Sequence, residues 1–406
     1  MTDKFDIVIA GGGLNGPTLG LALADAGLNI AIVDAAPAKA RAADSFDGRA
    51  YALALASVHL LGAIRIWPEL AEMAQPITNV VARQARGTET DPMGLFFNGA
   101  EIEEGVLGYM LEDRFLYRAL LSAMQKRLTH IPATQVIGQA ADTAGISISL
   151  SDGRSLRAKL LVGADGRKSG VATRAGISRT GWDYRQTALV AALDQSIPHG
   201  GTAHQVFLPT GPLAVLPLKE NRSSIVWSLT QPEAERIASL SDTDFLSVLS
   251  PHLHDIVGDI SLAGKRFSYP LNLTLANSYI SERVALIGDA AHGVHPIAGQ
   301  GLNLGLRDVG ALAECVVETM RQGGDIGFAT TLESYQGWRR FDSTSLALGM
   351  DSVNRLFSNG NPVLRLARGL GMGAVNAVPV LRRHFMRQAA GLTIDPMPRL
   401  LAGKVL

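Results

Sequence analysis

Short apolar runs closed by glycine or acid alternate with amphipathic stretches early in the chain. The middle is dominated by strand-like segments, and the final third has a helical period. Residues 6–10 and 29–33 are continuous apolar runs of strand length, as expected for strands buried on both faces of a parallel sheet. Residues 17–26 between them predict a helix, which makes a βαβ unit. Residues 111–128 also predict an amphipathic helix. Residues 145–150 and 155–161 flank Ser151, Asp152 and Gly153 and predict a hairpin with an Asp-Gly turn. That hairpin runs into a further apolar strand at 161–163. Residues 180–230 are strand-rich, with a turn at Pro209–Pro212. The pattern is helical over 234–258, a strand over 267–273, apolar again over 284–287, and mainly helical from Leu302 onward. No repeat or low-complexity tract interrupts it.

The punctuation between these elements carries the chemistry. Gly11, Gly13 and Gly16 form G-x-G-x-x-G between a strand and a helix, and the second strand ends in Asp34. An acid about 20 residues beyond such glycines is placed to bond ribose hydroxyls, and an acid there disfavours a 2′-phosphate, so NAD or FAD is expected over NADP. The run 284–287 leads into Gly288 and Asp289, then Gly299, Gln300, Gly301 and Asn303 at the start of a helix. This reads as a strand ending in a carboxylate and a tight turn whose backbone N–H groups can approach a large cofactor. Between these two motifs lies Gly163, Ala164, Asp165 and Gly166, another strand ending in acid and glycine.

Composition narrows the class. Lys plus Arg and Asp plus Glu both number 37, so the net charge of zero gives no support to nucleic-acid binding. Charged residues make up only 18% of a chain that is 47% hydrophobic, which leaves apolar surface for a ligand or lipid. Cys315 is the only cysteine, which excludes internal disulfides and argues against iron–sulfur or cysteine–zinc sites; it reads as core filling. The glycine-rich N-terminus is explained by the βαβ unit rather than a signal peptide. No segment reaches the roughly 18 apolar residues needed to cross a bilayer. A cytoplasmic protein, peripheral at most to a membrane, is expected.

The three glycine–acid motifs together resemble those of the single-component FAD-dependent aromatic hydroxylases. The string from His295 to Asp308 resembles the ubiquinone-biosynthesis branch, as do Asp47, Arg49, Ala52, Leu53 and Ser57, then Gly181, Trp182, Tyr184 and Gln186, and Pro209, Gly211, Pro212 and Pro217. The resemblance covers about residues 5–340. It implies an α/β fold with a discontinuous Rossmann-type FAD-binding domain (1–75, 106–178 and 278–345). Interleaved with it would be a β-sheet-rich substrate domain (76–105 and 179–277), and helices would follow over 346–406. Gly11, Gly13 and Gly16 would cradle the FAD pyrophosphate, Asp34 the adenosine ribose and Asp289 the ribityl chain. Arg49 and Arg114 would reach the pyrophosphate or ribityl side, with a surface ion pair as the simpler alternative. Backbone from Gly299 through Gln300 and Gly301 to Asn303 would serve the flavin pyrimidine edge. Asp165 belongs to a motif that contacts FAD or pyridine nucleotide, but here the family's arginine three residues after Ser169 is replaced by Ala172. Arg174 is the nearby substitute.

The implied reaction is ring hydroxylation of a polyprenylated phenol, with NAD(P)H or another donor as reductant and O2 activated at the flavin C4a carbon. No metal is called for, and no catalytic base is identifiable. His292 and His295 read as packing and hydrogen-bonding residues, and Trp182 and Tyr184 as cavity-lining or core aromatics. An isoprenoid reductase, a halogenase and a non-catalytic subunit of a quinone-biosynthesis complex remain alternatives, although the halogenase W-x-W pair is missing. Residues 352–406 hold eight cations (Arg355, Arg365, Arg368, Arg382, Arg383, Arg387, Arg399 and Lys404) against Asp395 alone, interleaved with apolar residues. Such a tail can lie on an anionic membrane, dock on a partner of the complex, or form a helical cap.

Overall fold

The computed structural model describes residues 3–37, 46–84, 94–294, 299–357 and 362–406. His295 lies outside these residues. The apolar runs form the sheet expected of them. Its strands lie in the order Ile280–Ser281, Val284–Leu286, Leu160–Gly163, Ile7–Ala10, Ile30–Val33 and Thr129–Ile131, parallel except at the 280–281 edge. The inner strands are fully buried, covered by the helix Asn15–Asp25, which also packs on the long Gln300–Arg321, and by the hairpin strands Gly145–Leu150 and Ser155–Ala158, whose Ile146, Ile148, Leu150 and Leu156 join the same core. Gly20 permits the first of these to approach the sheet, since a Cβ there would stand 3.0 Å from the Ile32 side chain.

A second, nine-stranded and mostly antiparallel sheet is built on the 17-residue strand Arg179–Gln195, which pairs with Arg222–Thr230 on one side and Phe267–Ala276 on the other. Leu189, Ile225, Trp227, Phe245 and Leu249 form a core of their own beneath the helices Gln231–Ala238 and Asp242–Val257. The strand Asn79–Gln84 joins this sheet by pairing with Thr202–Leu208. The chain thus leaves the parallel sheet twice and returns.

Two boundaries differ from the pattern-based expectation. The helix expected over 111–128 begins only at Asp113, because Gly108–Glu112 is a strand paired with Ala50–Leu53. The helix expected over 234–258 is two, because the Ser241 side chain accepts a hydrogen bond from the Asp244 N–H and starts a new one. Cys315 is buried, and burial pushes its thiol up to about 12, so it is inert core as expected.

Candidate cofactor and substrate site

Strand register decides where the three motifs meet. Gly163 pairs with Ala10 on one side and with Leu286 on the other. Three neighbouring parallel strands therefore end at the same level. Their following loops, beginning at Gly11, Ala164 and Ile287, lie side by side at the carboxyl edge, where open α/β sheets bind ligands. The loops interlock. A Cβ on Gly11, already at φ +119°, would collide with the Ala164 carbonyl, and one on Gly16 with the Gly11 carbonyl. The Asn15 side chain fills the space that Cβ atoms on Gly288 and Gly305 would need.

Gly13 and Gly301 differ from these. Neither has a left-handed backbone, and among the described residues no atom beyond their chain neighbours and own helix backbone lies within 4 Å of where their Cβ would stand. The protein itself does not require glycine there, but a closely approaching ligand would. Nearby, Asp165 Oδ1 and Asn15 Oδ1 are buried without a hydrogen-bond partner. Orphaned acceptors between glycine-lined loops fit a dinucleotide that carries donors of its own.

The expected acids occupy distinct stations. Asp34 is buried at the end of its strand, where it accepts from the Ala36 N–H at 3.1 Å and crowds Gly12. Asp165 Oδ2 accepts from the Val171 N–H at 3.1 Å. Asp289 sits half-exposed, with Arg167 Nε 3.2 Å away. Arg49 and Arg114 are both in ion pairs. Arg49 pairs with Asp47 at 2.6 Å and Asp113 at 3.4 Å, which raises its pKa, the Asp47 hydrogen bond being the larger cause. Arg114 pairs with Glu112 at 2.6 Å and lies over the Phe115 ring.

At the third loop Gly299 caps the helix in the left-handed conformation, φ 63°, and a Cβ there would stand 2.9 Å from the Ala52 side chain. The helix that begins here at Gln300 directs the positive end of its dipole toward the loop, as suits an anion or a polarised ring edge. The Asn303 side chain is committed elsewhere. Its Oδ1 accepts from Ala54 N and Ser57 Oγ, both at 2.8 Å, and its Nδ2 donates to the Ala52 and Gly299 carbonyls. Asn303 thus braces the 52–57 segment against the helix start.

Sequence reasoning quoted Asp308 in the late block but missed its part. Fully buried, Asp308 accepts from the Gly288 N–H at 2.9 Å, His292 Nε2 at 2.6 Å and Arg339 Nε at 2.8 Å. Arg339 also pairs with Asp342 at 2.5 Å. The available signal was the charged pair Arg307 and Asp308 in a helical run, Leu304 to Leu312, that is apolar or glycine elsewhere, so that a carboxylate buried with it must find a partner. His292 is the packing and hydrogen-bonding residue the sequence suggested. Trp182 and Tyr184 stand edge to face, 6.5 Å apart, beside Leu273, Val294, Leu304 and Leu346, so they adjoin the late block. Trp182 also donates to Asp351 at 3.2 Å. Surface grooves along Glu333–Phe341 and beside Leu189 and Phe267 share no residue with these loops.

The FAD binding domain family profile matches residues 4–341. The ubiquinone hydroxylase UbiL of Rhodospirillum rubrum is 42% identical, over 98% of this chain and 92% of its own. The 3-demethoxyubiquinol 3-hydroxylase of Escherichia coli is 33% identical, over 95% and 98%. This chain belongs to the FAD-dependent hydroxylases of ubiquinone biosynthesis. Among solved structures, the p-nitrophenol 4-monooxygenase PnpA of Pseudomonas putida superimposes with a TM-score of 0.81 at 18% identity, over 97% of this chain and 99% of that one, and shares the fold. The protein is accordingly an FAD-dependent monooxygenase, and its three loops form the edge of an FAD-binding domain.

Proposed function

We propose that this monooxygenase hydroxylates the ring of a polyprenylated phenol using electrons from NAD(P)H. The observation that carries this reading is the meeting of the three glycine–acid loops at one sheet edge, with an aromatic cluster beside the third. FAD held by these loops would supply the redox chemistry by which one atom of O2 reaches the ring and the other leaves as water. The chain's residues bind and orient. Gly11, Gly13 and Gly16 admit the pyrophosphate, Asp34 takes the adenosine ribose, and Asp289 takes the ribityl hydroxyls. The N–H groups at the start of the Gln300–Arg321 helix stabilise negative charge at the pyrimidine edge, where the helix dipole adds to them. Asn303 holds that helix start in place, and Arg49 and Arg114 serve the phosphate side from the paired positions described above. Trp182 and Tyr184 form an apolar wall that excludes water beside the reacting ring.

The domain division follows the same logic. The parallel sheet with its helices (1–75, 106–178 and 278–345) binds the cofactor, and the antiparallel sheet (76–105 and 179–277) covers the substrate. With labelled O2 and a prenylated phenol, labelled oxygen is expected on the product ring, and NAD(P)H is consumed with O2. Label arriving from water instead would overturn the proposed reaction.

Among the described residues no helix is long and apolar enough to cross a membrane, so a substrate this greasy must be met at a surface. The helix Pro379–Ala389 supports a peripheral contact. Its inner side is bolted down: Arg382 pairs with Glu101 at 2.7 Å, Arg387 with Glu104 at 3.4 Å, and Met386 is buried. Its outer side exposes Val380 (70%), Leu381 (38%) and Phe385 (40%), alongside Arg383. Arg382 therefore serves intramolecular anchoring, whereas the outer face is the lipid-contacting one. Residues 390–401 fold back, with Leu400 and Leu401 in the cofactor-domain core. Val380→Asp with Phe385→Asp is expected to weaken binding to anionic vesicles by about tenfold or more, each apolar side chain contributing roughly 1 kcal/mol or more. Arg383→Glu should weaken it by a similar factor, at roughly 1 kcal/mol per cation gained or lost. Unchanged vesicle binding in both variants would leave this helix as a cap only.

A further inference from the structure

The missing arginine at position 172 leaves open what rigidifies the middle loop. Arg174, the substitute suggested by sequence, turns back over Gly170 and donates to Gln139 at 3.3 Å. It does not hydrogen-bond the loops carrying Asp165 and Asp289. Arg179, the first residue of the long strand in the second sheet, does reach them. Its Nη1 donates to the Arg167 carbonyl and its Nη2 to the Ala290 carbonyl, the latter at 2.6 Å. Arg167 extends the connection, donating to Asp289 at 3.2 Å and to Asn272 of the neighbouring strand at 3.3 Å.

We propose that Arg179 is a positioning residue for FAD, a staple that sets the 165–168 loop against the 288–292 loop and so fixes the spacing between Asp165 and Asp289. Two features make it suited to this. A guanidinium is planar and forked, so one side chain can serve two carbonyls in fixed geometry, which an ammonium cannot. Two carboxylates, Asp165 and Asp289, also act on its charge and oppose the effect of its partial burial. Without it the two loops keep, among the described residues, only the exposed Arg167–Asp289 contact and lose the guanidinium that offsets the charge of both carboxylates. The staple comes from the antiparallel sheet, so it couples that sheet's seating to the cofactor loops.

The proposal rests on the assignment of these two loops to FAD, and the experiment separates the two. FAD is titrated back into the stripped protein, followed by flavin fluorescence quenching, and the melting temperature is measured with and without FAD. Arg179→Gln is expected to raise the FAD dissociation constant by about ten- to a hundredfold, the range expected for losing hydrogen bonds from a charged donor. The melting temperature of the stripped protein should change little. Arg179→Lys, which reaches one carbonyl at a time, should fall between parent and Gln and keeps the test decisive if the Gln variant folds poorly. Arg174→Gln, which removes no hydrogen bond to either loop, should weaken FAD binding far less than Arg179→Gln. Equal affinity in the parent and both Arg179 variants, or equal loss of stability with and without FAD, would overturn the staple. If Asp289→Ala also binds FAD at parental affinity, the loop assignment itself fails.

Discussion

Gly13→Val is expected to fold and to be isolated without the visible absorbance of bound flavin. Most glycine replacements in these loops would not separate folding from binding. A side chain on Gly11 or Gly16 would collide with backbone carbonyls, so loss of FAD there could follow from a distorted loop. Among the described residues, no atom beyond its chain neighbours lies within 4 Å of where a Cβ on Gly13 would stand, and its backbone is not left-handed. A valine at 13 therefore meets only the ligand. Close backbone approach to a pyrophosphate is the reason glycine occupies that position in G-x-G-x-x-G, and three added heavy atoms would hold the phosphates beyond hydrogen-bond reach. Affinity should fall by about a hundredfold or more, equivalent to roughly 3 kcal/mol. Circular dichroism and thermal melting of the stripped protein should match the parent. A variant that retained a full complement of FAD would show that the N-terminal turn does not cradle the cofactor.

Asp308→Ala is expected to destabilise the protein by about 3–5 kcal/mol, the usual consequence of removing one partner of a buried ion pair. Arg339 and His292 would lose their carboxylate in a fully buried setting, and the Gly288 N–H would lose its acceptor. Because Gly288 precedes Asp289, flavin binding should weaken as well. The pH dependence is specific. Burial alone would raise the Asp308 pKa, but the charges and hydrogen bonds of His292 and Arg339 outweigh it and hold it below its ordinary value. A carboxyl depressed in the folded state contributes stability above its unfolded pKa of about 4 and loses that contribution as pH falls through the folded value. The stability gap between parent and Asp308→Ala should thus be full at neutral pH and narrow on acidification below about pH 4. Urea titrations at several pH values measure it. A gap that stayed constant down to strongly acid pH would mean that Asp308 is not ionised in the fold.

Local pattern carried the elements, because the information that defines them is local. Four apolar runs of strand length announced a buried parallel sheet, and Gly11, Gly13, Gly16 and Asp34 could be read from spacing alone. The late block from Gly288 to Asp308 was legible as a strand, a turn and a helix start for the same reason. Where one element ended and the next began was less legible: Glu112 closes a strand because Ala50–Leu53, some 60 residues earlier, pairs with it.

Contacts between distant residues belong to a different class, since periodicity reports a side chain's face and not its partner. The register aligning Gly163 with Ala10 and Leu286 brought the three loops to one edge. Asn303 appeared in the sequence as a cofactor residue, and only packing turned its side chain toward Ala52, Ala54 and Ser57. The basic tail was visible as composition, yet Glu101 and Glu104 decided that Arg382 and Arg387 point inward. Arg179 gave no local sign, because its work depends on two carbonyls at Arg167 and Ala290, 111 residues away in the second case. Charge and spacing select residue types for a site. The closing of long loops around a buried core selects which of them meet.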